Sequence, residues 1–141
     1  MDTLNATELA RGSLLLVDTA PIIYVLEGHP RFAEQFELMF QRYVDGELFL
    51  AVSTNTIAEV LTGPIRAREE TLARRYRAAL EAWQVVELTS DITESAARFR
   101  GQYGLKLPDA IQLASAVAIS ADALVTHARD FYSVQSLKIL T

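Results

Sequence analysis

The chain contains no cysteine, so neither a disulfide framework nor a thiolate metal site is open to it. That suits a reducing compartment. No apolar run approaches the roughly 20 residues needed to span a bilayer. The opening residues Met1-Asp2-Thr3-Leu4-Asn5 lack the basic and apolar regions of a secretory signal. A soluble, cytoplasmic protein with no membrane partner is therefore expected. Positive charge is also in short supply, with 13 Lys and Arg against 18 Asp and Glu, a net −5. A domain that binds nucleic acid through its overall field is basic. Any nucleic-acid partner here needs a local basic patch, or a cation bound among the acids, to overcome that balance.

What is present is ordinary globular composition, 50% hydrophobic and 22% charged over 141 residues, enough for one domain with its own core. No repeat, linker or low-complexity stretch divides it. Residues 1–141 are expected to form one domain, with 1–12 a loosely ordered lead-in.

The first apolar run, Ser13-Leu14-Leu15-Leu16-Val17-Asp18-Thr19, organises the rest. Four aliphatic residues ending in an aspartate, with a helical pattern behind them, read as a buried parallel strand feeding a helix. Asp18 then stands at the carboxyl end of that strand, where open α/β sheets bind ligands. It reads equally as a cap of the following helix.

Further along, Gly28-His29-Pro30 ends the first helix, and Phe32, Phe36, Met39, Phe40 and Tyr43 recur at helical spacing, a core-facing stripe. Leu48–Ser53 is a second strand, and Thr54-Asn55-Thr56 offers caps for a helix carrying Glu59. Gly63-Pro64 is expected to close or kink that helix. A charged helix over 65–82 carries Arg66, Arg68, Arg74, Arg75 and Arg77 interspersed with glutamates. That pattern suits a solvated, salt-bridged face, with RNA-phosphate contact as the alternative. Trp83–Leu88 is a third strand and 91–103 a helix. Leu107-Pro108-Asp109-Ala110 opens a helix that is apolar or small through Ala118, which places Asp109 at the mouth of a buried element. Strands at Ala123–Thr126 and around Leu137–Leu140 complete an α/β fold. It has three layers, with a parallel central sheet of about five strands flanked by helices.

Asp18, Glu59 and Asp109 each lie where a parallel sheet gathers its strand ends. Three carboxylates in one cleft repel one another and raise each other's pKa values. A hard divalent cation such as Mg²⁺ or Mn²⁺ removes that penalty. It also polarises a phosphoryl oxygen and lowers the pKa of bound water, which points to phosphodiester hydrolysis.

Val17-Asp18-Thr19 with Ile23-Tyr24, Thr56-Ile57-Ala58-Glu59-Val60, Leu107-Pro108-Asp109-Ala110 and Leu124-Val125-Thr126 resemble the PIN-domain pattern in order and spacing. The likeness runs from about residue 14 to 140 and is nearest to the VapC-like ribonuclease toxins of type II toxin–antitoxin systems. It implies a Mg²⁺- or Mn²⁺-dependent endoribonuclease acting on single-stranded RNA. It implies a homodimer too, for which helix 32–43 offers surface, and a small antitoxin whose tail fills the acidic cleft. Carried over by position, Asp18 and Asp109 are the main metal ligands, Glu59 supports metal or water, and the Thr126 hydroxyl helps shape the site.

One position departs from that pattern. Where the family has an aspartate or asparagine to complete the acidic cluster, this chain has Ala128, preceded by His127. Asp130 lies two residues on and is a further candidate ligand. His127 reads either as a phosphate or water contact or as a surface histidine. Ala128 motivates a second reading, a degenerate PIN domain that binds RNA or a protein partner without cutting. A third, a phosphoacceptor domain with Asp18 as acceptor, lacks the extra acids expected before the acceptor, since Leu14–Val17 are all aliphatic.

Overall fold

In the computed structural model, which describes all 141 residues, β1 (Leu14–Val17) forms the centre of a five-stranded sheet. It is followed by α1 (Thr19–Leu26), α2 (Ala33–Val44), β2 (Phe49–Ser53), α3 (Thr54–Arg66), α4 (Glu70–Glu81) and β3 (Gln84–Val86). Then come α5 (Ser90–Tyr103), α6 (Leu107–Ala118), β4 (Ala123–Val125) and β5 (Lys138–Leu140). The strand order is β3-β2-β1-β4-β5 and every pair is parallel. Leu15 stands opposite both Leu50 and Ala123, and Val17 opposite Val125.

Alternation along the strands divides the core in two. Leu15 and Val17 of β1 face one layer with Ile22, Phe36, Met39, Val60 and Leu80 from α1 to α4. Leu16 faces the other, with Ile92 and Ala96 of α5 and Ala110, Leu113 and Ala114 of α6. Burial on both faces is why β1 reads as an unbroken aliphatic run. The central strands leave their carboxyl ends at one edge, and Asp18 stands directly after β1 there.

The structure departs from the sequence reading in two places. Residues 1–12 are not a loose lead-in: the Asp2 amide donates to the Ile139 carbonyl at 2.9 Å and Leu4 to Thr141 at 2.7 Å, beside β5. Leu4 and Ala6 are buried in the core. Arg42 holds the segment from the other side, donating to the carbonyls of Ala6 at 2.6 Å and Leu9 at 2.7 Å. Second, Pro64 does not close α3. The proline is buried and the helix runs on to Arg66. The break falls at Arg68, whose φ of 60° is left-handed, so the charged helix begins at Glu70 rather than 65. The aromatic stripe of α2 faces the core, as its spacing predicts. Phe36 and Met39 are fully buried, and Phe40 packs on Trp83 at 5.7 Å between ring centroids.

Candidate active site

Asp18 is both the cap of α1 and the centre of a hydrogen-bonded cluster. Its Oδ1 accepts from the Thr19 amide at 2.8 Å and from Gln112 Nε2 at 2.8 Å. Its Oδ2 accepts from the Thr126 hydroxyl at 2.7 Å. The backbone is fixed too, since the Asp18 amide donates to the Val125 carbonyl at 2.8 Å. Thr126 is fully buried one residue beyond β4, and its hydroxyl accepts from the Ala128 amide at 3.0 Å. Adjacent parallel strands thus set aspartate and threonine side by side, and a helix dipole adds its favourable field to the carboxylate.

Behind Asp18 lies a buried polar network. Gln112 of α6, 2% exposed, donates through Nε2 to Thr56 Oγ1 at 2.6 Å and accepts from the Ser53 hydroxyl at 2.7 Å. Ser53 caps α3 by accepting from the Thr56 amide, and Thr19 donates to Thr56 at 3.0 Å. No buried side-chain polar atom in the chain lacks a partner. Satisfied in this way, the network specifies one arrangement rather than costing several kcal/mol. Sequence reasoning missed Gln112. The available signal was a long polar side chain within the run Ala110–Ala116, one helical turn after Asp109 and so on the same face.

The other carboxylates stand in front. Asp109 lies in the first turn of α6 and is half-buried. Burial pushes its carboxyl above the ordinary range, and the charges of Asp18 and Asp130 push the same way. The Lys106 ammonium pulls against them, and Glu59 adds a smaller upward push. Asp109 therefore feels all three other candidate acids. Glu59 is exposed on α3 and accepts from Asn55 Nδ2 at 2.8 Å. Asp130 is exposed and stands 3.9 Å from Lys106 Nζ. As they are placed, no three of these groups converge closely enough to cage an ion. The donor set nevertheless suits a hard cation: carboxylate oxygens in one another's field, with acceptor capacity left on Asp18. Mg²⁺ is commonly bound through one or two carboxylates while keeping several waters.

His127 is not a free surface histidine. It is half-buried, its Nδ1 lies 2.9 Å from the Tyr24 hydroxyl, and its ring meets Phe32 at 4.5 Å between centroids. Of the arginines, Arg77 pairs with Glu81 at 2.8 Å, while Arg66, Arg68, Arg74 and Arg75 are exposed. No helix is long and apolar enough to cross a membrane.

The family pattern described as PIN domain matches residues 15–137. A chain of a toxin–antitoxin complex from Klebsiella pneumoniae is 28% identical, with a TM-score of 0.71, covering 90% of this chain and 96% of that one. VapBC2 from Rickettsia felis, bound to a DNA fragment of its promoter, superposes with a TM-score of 0.70 at 16% identity, over 89% of this chain and 96% of that one. Mycobacterium tuberculosis VapC20, a toxin that cleaves the sarcin–ricin loop, gives 0.62 at 17% identity, over 83% and 92%. Among curated proteins none matches. A parallel sheet in the order β3-β2-β1-β4-β5, a first strand ending in Asp18 and a match over residues 15–137 lead to one conclusion: the chain belongs to the PIN-domain family, with a VapC-like fold.

Proposed function

We propose that this protein is a Mg²⁺- or Mn²⁺-dependent endoribonuclease that hydrolyses phosphodiester bonds of single-stranded RNA, acting in the cytoplasm as the toxin of a toxin–antitoxin pair. The observation that carries the reading is Asp18, held through both oxygens by Thr19, Gln112 and Thr126 while its charge helps push the Asp109 carboxyl above the ordinary range. A carboxylate that only capped a helix would not need a buried amide and a buried hydroxyl behind it.

In this reading Asp18 and Asp109 hold the cation. Bound there, it polarises a phosphoryl oxygen and lowers the pKa of a water ligand. Glu59, exposed and tethered only to Asn55, orients or deprotonates the attacking water. Thr126 keeps Asp18 in place. Asp130, close to Lys106, is a peripheral acid that a cation can recruit. The partners of the reading are RNA, a second copy of the chain in a homodimer, and an antitoxin whose tail neutralises the acidic cleft. The test is cleavage of a single-stranded RNA with Mg²⁺ and with EDTA. Asp18→Asn and Asp109→Asn should each abolish cleavage. Metal-independent cleavage, or full activity in either variant, contradicts the reading.

Ala128 favours a second reading. Its side chain packs against the core cluster of the α5–α6 face, where the family pattern carries an aspartate or asparagine. A degenerate domain would bind RNA or a protein partner without cutting. Ala128→Asp discriminates: it creates cleavage in a lapsed enzyme and changes little in an active one.

A further inference from the structure

We propose that Gln112 is a positioning residue for the cation site, fixing Asp18 so that it ligates through Oδ2 alone. The inference rests on the metal-dependent reading and concerns a residue outside the acidic set. A carboxylate oxygen accepts about two hydrogen bonds or metal contacts. Oδ1 already accepts two, from the Thr19 amide and from Gln112 Nε2, both at 2.8 Å. Oδ2 accepts one, from Thr126 at 2.7 Å. The remaining acceptor position of Asp18 is on Oδ2.

The orientation of the Gln112 amide is itself set. Ser53 donates its hydroxyl to Oε1 at 2.7 Å, which directs Nε2 toward Asp18 and Thr56. The flipped amide would set its oxygen against the Asp18 carboxylate, which only accepts, and so lose the bond to Oδ1. Ser53, Thr56 and Gln112 are 1%, 0% and 2% exposed, so water does not substitute for any of them. A helix-wide structural role would not require Ser53 of β2 and Thr56 of α3 to aim one amide at one carboxylate oxygen. Outer partners that orient a metal ligand commonly set affinity as strongly as this arrangement implies.

The test is calorimetric Mn²⁺ titration of the full chain without RNA, with melting temperature read alongside. Gln112→Leu should weaken Mn²⁺ binding roughly 10- to 100-fold. Ser53→Ala leaves the partners of Asp18 chemically intact and should weaken binding less, in the same direction. The double variant should lose no more than Gln112→Leu alone, because both act through one amide. Leu113→Ala, fully buried on the same helix and outside the network, should lower the melting temperature and leave affinity unchanged. Equal Mn²⁺ affinity in native, Gln112→Leu and Ser53→Ala protein overturns this inference alone. If Gln112→Leu fails to fold, Ser53→Ala decides. Absence of Mn²⁺ binding by the native protein overturns the metal reading and this inference with it.

Discussion

Asp109 shows the balance at the residue scale. Its carboxyl is raised by burial first and then by Asp18 and Asp130, so the fold holds its proton more tightly than the unfolded chain does. Ionisation therefore costs stability as pH rises through the raised value, and the cost vanishes below the ordinary carboxylate range, where both states are protonated. A first-turn acid gains from the helix dipole, but the net direction here is upward. Asp109→Asn should accordingly raise the melting temperature in EDTA at neutral pH by a few degrees, with the difference shrinking in acid. A lower melting temperature at neutral pH contradicts this. Asp18, Glu59, Asp109 and Thr126 were all legible as candidates in the sequence, because strand ends and helix starts flag themselves by polarity after an apolar run. Gln112 was not, because one amide in an apolar helix looks like a tolerated exception until its partners from β2 and α3 are seen.

Among the elements, the outline was legible and the punctuation was not. All five strands and the helices between them follow from apolar runs and their periods, since burial on both faces leaves a continuous signal. Gly63-Pro64 read as the break before the charged helix, yet burial of Pro64 keeps it inside α3. The turn falls instead at Arg68 with φ 60°, a conformation that costs a residue with a side chain about 1 kcal/mol or more. Arg68→Gly relieves that cost while adding unfolded-state entropy, so urea unfolding should show a gain of up to about 1 kcal/mol. A clear loss contradicts the assignment. The opening segment is the other case. Its polar residues hide two inward positions, Leu4 and Ala6, whose backbones pair with the distant Thr141 and Arg42. Leu4→Ala should cost about 2 kcal/mol in denaturant unfolding, near the low end for a buried leucine. A loose lead-in would make it neutral.

For the whole molecule, charge is the constraint that any RNA chemistry must meet. The chain carries −5 overall, and the acids at the strand ends add repulsion where a phosphate would approach. Arg66, Arg68, Arg74 and Arg75 are exposed on α3, α4 and the turn between them, and none pairs with Asp18, Glu59 or Asp109. On the proposed reading, a cation among Asp18, Asp109 and their neighbours would reconcile the field with a phosphodiester substrate. A single-stranded RNA with uncleavable linkages should therefore bind more tightly with Mg²⁺ than with EDTA at constant ionic strength, read by fluorescence anisotropy. Binding indifferent to the divalent ion contradicts that account.

Calorimetric titration of the purified protein with Mn²⁺ shows whether Asp18 and Asp109 form one cation site. The native chain should bind the ion and Asp109→Asn should not. No binding by the native chain, or undiminished binding by Asp109→Asn, would return both aspartates to helix capping.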